Sequence, residues 1–317
     1  MTRTSTGRRL AAAAIGLALL GLPACAGTGG SGSSTTDKPL RVGFVNGNTI
    51  EFHTCLEKAV RATAEESGVQ LVVANSTGDP GKELTNVENM ITQRVDAIIL
   101  QTVNVDAQLT GVTRAKAAGI PIFLTSVAAA PADQILGAVT TDLNAVGRLV
   151  GEWVAKDSGG AARVAVIGGA PGAASAPLTA GFRAAMPQAD VVFEQPAFWQ
   201  RAKAQEVADN LLQSHPDVQY VFVHNEDMAM GVLSALDAAG RKDIKVVSNN
   251  GTAQGLAAVT AGRISATVAN SPDVEGAMAV RNLLTQLRTP DPATKVTKVP
   301  EMLVTKDNVA QAPTYCR

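Results

Sequence analysis

Aromatic side chains are scarce. Phe, Trp and Tyr make up 3% of 317 residues, with two Trp and two Tyr, so an aromatic outside a core pattern stands out. Cysteine is scarcer still: the three, at positions 25, 55 and 316, cannot build a disulfide-rich scaffold. The three histidines, His53, His215 and His224, show no HExxH or similar ligand spacing. His53 with Cys55 is a two-ligand fragment at most, so no metal and no other cofactor is expected. Neither sign of charge dominates. Lys plus Arg number 27 against 28 Asp plus Glu, which argues against nucleic acid as a partner and against a polybasic membrane patch. Beyond residue 22 no stretch is apolar for long enough to cross a membrane. What is present is globular composition, 46% hydrophobic and 17% charged, over a length that suits roughly two domains of ~150 residues.

The longest apolar run is N-terminal. Arg3, Arg8 and Arg9 precede residues 10–22, a positive n-region and a short h-region that together read as an export signal. The run ends in LPAC at 22–25, which resembles a bacterial lipobox, where cleavage precedes a cysteine that receives diacylglycerol. The alternative is an ordinary signal peptide with an incidental cysteine; small residues and Cys falling together at the end of the h-region favour lipidation of Cys25. Residues 1–24 are then the signal peptide, and 25–39 hold the lipidated cysteine and a Gly/Ser/Thr-rich tether. Cleavage removes three arginines and no acid, so the mature chain is more acidic than the full-length value of −1. The expected location is the outer face of the bacterial cytoplasmic membrane.

From residue 40 short β-branched runs alternate with helical patterns. RVGFV at 41–45 is strand-length, and 52–67 follows with Leu56, Ala59, Val60 and Ala64 at helical spacing, ended by Gly68. Strands at 69–74, 95–100 and 121–124 alternate with helices at 82–93 and near 107–118. After 135–139 and a helix at 144–156 the rhythm restarts. Strands at 163–167, 191–193, 218–223, 244–247 and 264–268 alternate with helices at 173–186, 203–214, 227–239 and 254–261. A long helix at 273–287 and a last strand at 298–304 complete it. Continuous apolar strands between helices imply parallel sheets covered on both faces, so the expected class is α/β with two Rossmann-like, doubly wound lobes.

In open α/β sheets ligands bind beyond the carboxyl ends of the strands. The residues just after each strand are Asn46, Asn48 and Phe52; Gln101 and Thr102; Thr125 and Ser126; 168–175; Phe198 and Trp199; His224 and Asn225; Asn249 and Asn250; and Asn270. This set is rich in amides and hydroxyls and nearly uncharged. Asn and Gln both donate and accept, as ligand hydroxyls do, and the flat face of Trp199 suits the apolar face of a sugar ring. Any single Asn is better read as a turn residue, Asn250 before Gly251 above all, but the set together resists that reading. Catalytic readings fare worse. GGAPG at 168–172 matches neither a P-loop nor a dinucleotide fingerprint, and Ser175 lacks the glycines of a nucleophile elbow. With no carboxylate pair among these positions, no catalytic residue is assigned and no enzyme is expected.

KEL at 82–84 with NV at 86–87, GIP at 119–121, HPDV at 215–218, NEDMAMG at 225–231, GT at 251–252 and ATV at 266–268 are similar to the ribose-type periplasmic binding proteins. The likeness runs from about Leu40 to Val304, and the 215–231 block is its most specific part. The resemblance implies a type I fold: two lobes joined by a three-crossover hinge, closing on a sugar and delivering it to an ABC permease and its ATPase, as a monomer. It places the crossings near Val139 and Thr140, Asn270 and Ser271, and Met302. Lobe 1 is then 40–139 plus 271–301, and lobe 2 with a C-terminal tail is 140–270 plus 302–317. By the same resemblance Phe52 packs on the sugar from the first lobe, with His53 in place of a neighbouring aromatic. Trp199 is the second-lobe aromatic, Asn225 matches the family's Asn, and Asn270 stands where an amide is usual. Thr102, Ser126, Asn249 and Asn250 complete the candidate set from their strand-end positions. The departures remove charge. Ser126 and Val127 stand in place of Asp-Arg, Ala176 in place of an Arg, and Asn250 in place of an Asp. Charge-assisted hydrogen bonds are roughly twice as strong as neutral ones, so the remaining pocket suits a neutral ligand held by amides, hydroxyls and an aromatic face.

In an exported chain with two cysteines outside the lipobox, a Cys55 to Cys316 disulfide is the economical reading over two free thiols, and it ties the tail to the first lobe. The leading expectation is a lipid-anchored receptor for a sugar or polyol serving an ABC importer. A ligand sensor for a membrane signalling receptor, with an autoinducer-like, cyclitol or nucleoside ligand, shares the fold. A cell-envelope enzyme is disfavoured by the missing acid/base set. A lac-repressor-like regulator is excluded by export and by the lack of a helix-turn-helix before Leu40.

Overall fold

Strand β1 (Arg41–Asn46) is buried from Val42 through Asn46, so both of its faces must be covered. In this computed structural model, which describes residues 38–172 and 174–317, helices do so. The export signal, Cys25 and the tether up to residue 37 lie outside the described residues.

After β1 come α1 (Glu51–Glu66), β2 (Gln70–Asn75), α2 (Pro80–Thr92), β3 (Ala97–Gln101), α3 (Val105–Ala117), β4 (Ile122–Ser126) and β5 (Gly137–Thr140). A second series follows: α4 (Leu143–Ser158), β6 (Arg163–Gly168), α5 (Ser175–Ala185), β7 (Asp190–Pro196), α6 (Arg201–Ser214), β8 (Tyr220–Val223), α7 (Glu226–Ala238), β9 (Lys245–Asn250), α8 (Ala253–Thr260) and β10 (Ala266–Ala269). The chain continues through α9 (Pro272–Arg288), β11 (Val296–Lys298) and β12 (Met302–Val304). Several helices begin on a side chain that accepts from their first turn, with Asp79, Asn104, Asp142, Asn225, Thr252 and Ser271 as the caps.

The strands form two sheets, ordered β2-β1-β3-β4-β5-β11 and β7-β6-β8-β9-β10-β12. All pairings are parallel except that of β12 with β10. Alternation on β3 shows how each sheet feeds two cores. Ile99 packs with Leu56, Val60 and Leu283 on the α1/α9 side, while Ile98 and Leu100 pack with Val87, Met90 and Val112 on the α2/α3 side. The second sheet likewise has α6 and α7 on one face and α4 and α5 on the other.

The chain passes between the sheets three times. It leaves the carboxyl end of β5 for α4, the carboxyl end of β10 for α9, and β11 for β12. The last passage corrects one expectation, since residues 298–304 are not a single strand. Pro300 has no N–H for a ladder, and the chain breaks there, leaving β11 in the first sheet and β12 in the second. Met302 pairs with Ala269, so β12 begins at the carboxyl edge of its sheet. The passages therefore set the carboxyl edges of the two sheets against each other across a hinge. Thr140 accepts from the Val299 N–H, Glu301 accepts from the Asp142 N–H at 2.8 Å, and Lys298 pairs with Asp142. Among the described residues no helix is long and apolar enough to cross a membrane.

Candidate ligand-binding site

The second lobe presents Trp199 on a strained loop. Phe198 and Trp199 both have φ in the left-handed region, 55° and 64°, which bulky residues adopt only when their surroundings impose it. The surroundings are visible: the indole lies against Gly169, where a Cβ would stand 2.1 Å from Trp199 Cζ2. The ring also tilts relative to His224, centroid to centroid 6.4 Å. His224 is buried, and burial pushes its pKa down to about 4, so it is a neutral ring. It takes the Gly169 N–H on Nδ1 at 3.4 Å and pairs Nε2 with Thr179 Oγ1 at 3.3 Å. His224 thus props the platform from inside the lobe. Phe198, 48% exposed, points to solvent.

The amides of this lobe divide by role. Asn225 caps α7 by accepting the Met228 N–H on Oδ1 at 2.8 Å, and its amide nitrogen has no partner among the described residues. Asn249 is buried and donates to the His224 carbonyl at 2.7 Å, so it ties β9 to the end of β8. Asn250, at φ 135°, donates to Asn270 Oδ1 at 3.3 Å, which joins the ends of β9 and β10. Ser175 Oγ, at the start of α5, is buried and unpartnered among the described residues.

In the first lobe Phe52, in the first turn of α1, packs on the core and meets His53 edge to face at 5.5 Å. Burial pushes the His53 pKa down to about 4, against a hydrogen bond to Gln101 that acts the other way. Its Nδ1 is shielded and has no partner among the described residues, and neither has Asn46 Oδ1. Gln101 also accepts the Gly47 N–H at 3.0 Å, joining the loops after β1 and β3 so closely that a Cβ on Gly47 would sit 2.5 Å from Gln101 Oε1. Thr102 and Ser126 are held by buried glutamates of other elements. Thr102 Oγ1 donates to Glu83 at 2.8 Å, and Ser126, at φ 64°, donates to Glu275 at 2.7 Å.

Over residues 42–290 the sequence matches the periplasmic binding protein domain family. The chain belongs to that family. It is 34% identical over 232 residues to the ribose import binding protein RbsB of Escherichia coli, covering 72% of this chain and 78% of that protein. It is 30% identical over 271 residues to the xylitol-binding protein of Mycolicibacterium smegmatis, covering 84% and 76%. Among solved structures, an ABC transporter solute binding protein from Bacillus halodurans with bound myo-inositol superposes at a TM-score of 0.82 and 26% identity, covering 87% of this chain and 98% of that one.

The carboxyl edges of this binding protein also carry three buried glutamates outside the strand-end set of amides and hydroxyls. Glu226 accepts from Gly251 N, Thr252 N, Thr252 Oγ1 and Thr267 Oγ1, so it fixes the loop after β9 to β10. Glu275 accepts from the hydroxyl and main chain of Ser126, fixing the loop after β4 to α9. Glu83 accepts from Thr102 Oγ1 and Val103 N, fixing the loop after β3 to α2. Burial raises the pKa of each, that of Glu275 to about 7, while the loop donors pull it back. Their oxygens are taken up by loop donors, so they fix the loops at the carboxyl edges. The available signal was placement: Glu226 opens α7 directly after Asn225, where a first-turn acid is ordinarily a solvated dipole partner. Cys55 and Cys316 are bonded, with Cα atoms 5.1 Å apart.

Proposed function

We propose that this protein is a receptor that captures a neutral sugar or polyol between its lobes and hands it to the permease and ATPase of an ABC importer. The observation that carries the reading is the chemistry of the two opposed strand edges. Phe52 and Trp199 offer ring faces, and His53 Nδ1, the Asn225 amide and Ser175 Oγ are without protein partners among the described residues. Three buried carboxylates at these edges, Glu226, Glu275 and Glu83, are bound to loops. A molecule whose hydroxyls both donate and accept would complete these groups, and an unpaired buried polar atom is costly enough to favour it. Phe52, His53, Trp199, Asn225, Asn250 and Asn270 are the residues that face the ligand; Thr102, Ser126 and Asn249 hold the loops that carry them. Relatives named for ribose and xylitol, and a structural neighbour holding myo-inositol, support the same class.

Contacts from both lobes form only on closure, so a ligand that binds the closed form better shifts the hinge equilibrium toward it. A receptor that must release its cargo needs only micromolar affinity, about −8 kcal/mol. The protein is not an enzyme and works as a monomer, held on the outer face of the cytoplasmic membrane by a lipid on Cys25. A thermal-shift screen with D-ribose, xylitol, myo-inositol and a charged amino acid tests the class. A true ligand at ~100 times its dissociation constant adds ~2.7 kcal/mol and raises Tm. A shift with the amino acid alone would overturn the reading.

A further inference from the structure

Residues 312–317 make a fourth passage between the lobes. The chain leaves β12 in the second lobe, and Val309 still packs on that lobe's core. From there every anchor changes side. Thr314 accepts from Ser271 Oγ at the start of α9, Cys316 is bonded to Cys55 on α1, and Arg317 pairs with Asp273 at 3.0 Å. Helices α1 and α9 pack on each other in the first lobe. Between these anchors Tyr315 is 6% exposed. Burial, then the nearby carboxylates of Glu226, Glu51 and Glu275, hold its phenol well above the ordinary tyrosine pKa. Those carboxylates come from both lobes and stand beside candidate ligand residues: Glu51 precedes Phe52, Glu226 follows Asn225, and Glu275 holds Ser126.

We propose that this segment is a disulfide-pinned strap that forms the hinge-side wall of the cleft and limits how far the lobes open, with Tyr315 as its positioning residue. A chain anchored in one lobe and covalently fixed to the other sets a maximum separation that the three hinge passages alone do not set. A buried tyrosine at the junction keeps the two edges in register for closure. The strap lies in the cleft assigned above to ligand capture and rests on that assignment only for its effect on binding; its effect on opening is independent of any ligand.

Single-molecule energy transfer in the ligand-free full chain tests it, with dyes attached through non-cysteine chemistry at exposed positions 116 on α3 and 209 on α6. Reduction of the wild-type chain, or Cys316→Ser, is expected to lengthen the mean interlobe distance and broaden its distribution. Tyr315→Ala with the disulfide intact is expected to broaden it, and Tyr315→Phe to leave it unchanged. Circular dichroism verifies folding in each case, and the reduction and Tyr315 arms stand if Cys316→Ser does not fold. Unchanged distributions in a folded chain with two free thiols shown by mass spectrometry would overturn the proposal. Because no ligand is present, that outcome leaves the sugar or polyol reading standing, and a failed ligand screen leaves the strap standing.

Discussion

Asn225 caps α7 through Oδ1, and the site proposed above assigns its amide nitrogen to a ligand, so one substitution can separate the two. Asn225→Asp keeps the acceptor and loses the donor, so stability stays near wild type while ligand affinity falls by 1–3 kcal/mol, roughly ten- to hundredfold. Asn225→Ala loses the cap as well and unfolds about 1 kcal/mol more easily. Calorimetric binding and urea melts on both variants distinguish the effects; equal affinity in Asn225→Asp would remove Asn225 from the site. Glu275 gives a pH signature. Its pKa is raised by burial to about 7, so the folded state holds that proton more tightly, and its contribution to stability is lost as pH rises through 7. His53 and His224, pushed down to about 4, act oppositely, and their contribution is lost as pH falls from 6.5 toward 4. Glu275→Gln removes its own falling component and leaves those of Glu83, Glu226 and Glu301, whose pKa values burial also raises, so Tm should rise more steeply or fall less from pH 4.5 to 7 than in wild type; parallel profiles would refute the assignment. Strand-end position marks Asn225 in the sequence, whereas the burial of Glu275 comes from packing against another element and leaves no local trace.

Among the elements, the placement of Trp199 depends on two loops meeting. Gly169, after β6, leaves room for the indole of Trp199, after β7. Gly169→Ala should displace the ring and weaken ligand binding at least tenfold with a small change in Tm, read by intrinsic fluorescence and calorimetry. Wild-type affinity in this variant would show that Trp199 is not a ring platform. Helix α1, expected at 52–67, occupies Glu51–Glu66, because its apolar spacing and Gly68 are both local signals. The division of 298–304 into β11 and β12 is different. Both halves have strand composition, and which sheet each joins depends on partners more than a hundred residues away. The left-handed backbone at Ser126, Phe198 and Trp199 was equally hidden, since none of these residue types signals it and tertiary contacts impose it.

At the scale of the molecule, the alternating pattern made the two doubly wound sheets legible, but the crossings came only from resemblance to a family. Local periodicity says what each element is, and the hinge is a property of how distant elements pair. The same pairing positions the candidate site, since three passages join the carboxyl edges of the two sheets, where its residues lie. The proposed function requires a neutral polyhydroxylated molecule to bind between the lobes against Trp199. Isothermal titration calorimetry compares the wild-type chain and Trp199→Ala with the best neutral sugar or polyol. One site per chain with a micromolar constant is expected in wild type, weakened at least tenfold in Trp199→Ala; equal binding by both chains would exclude the ring from the site.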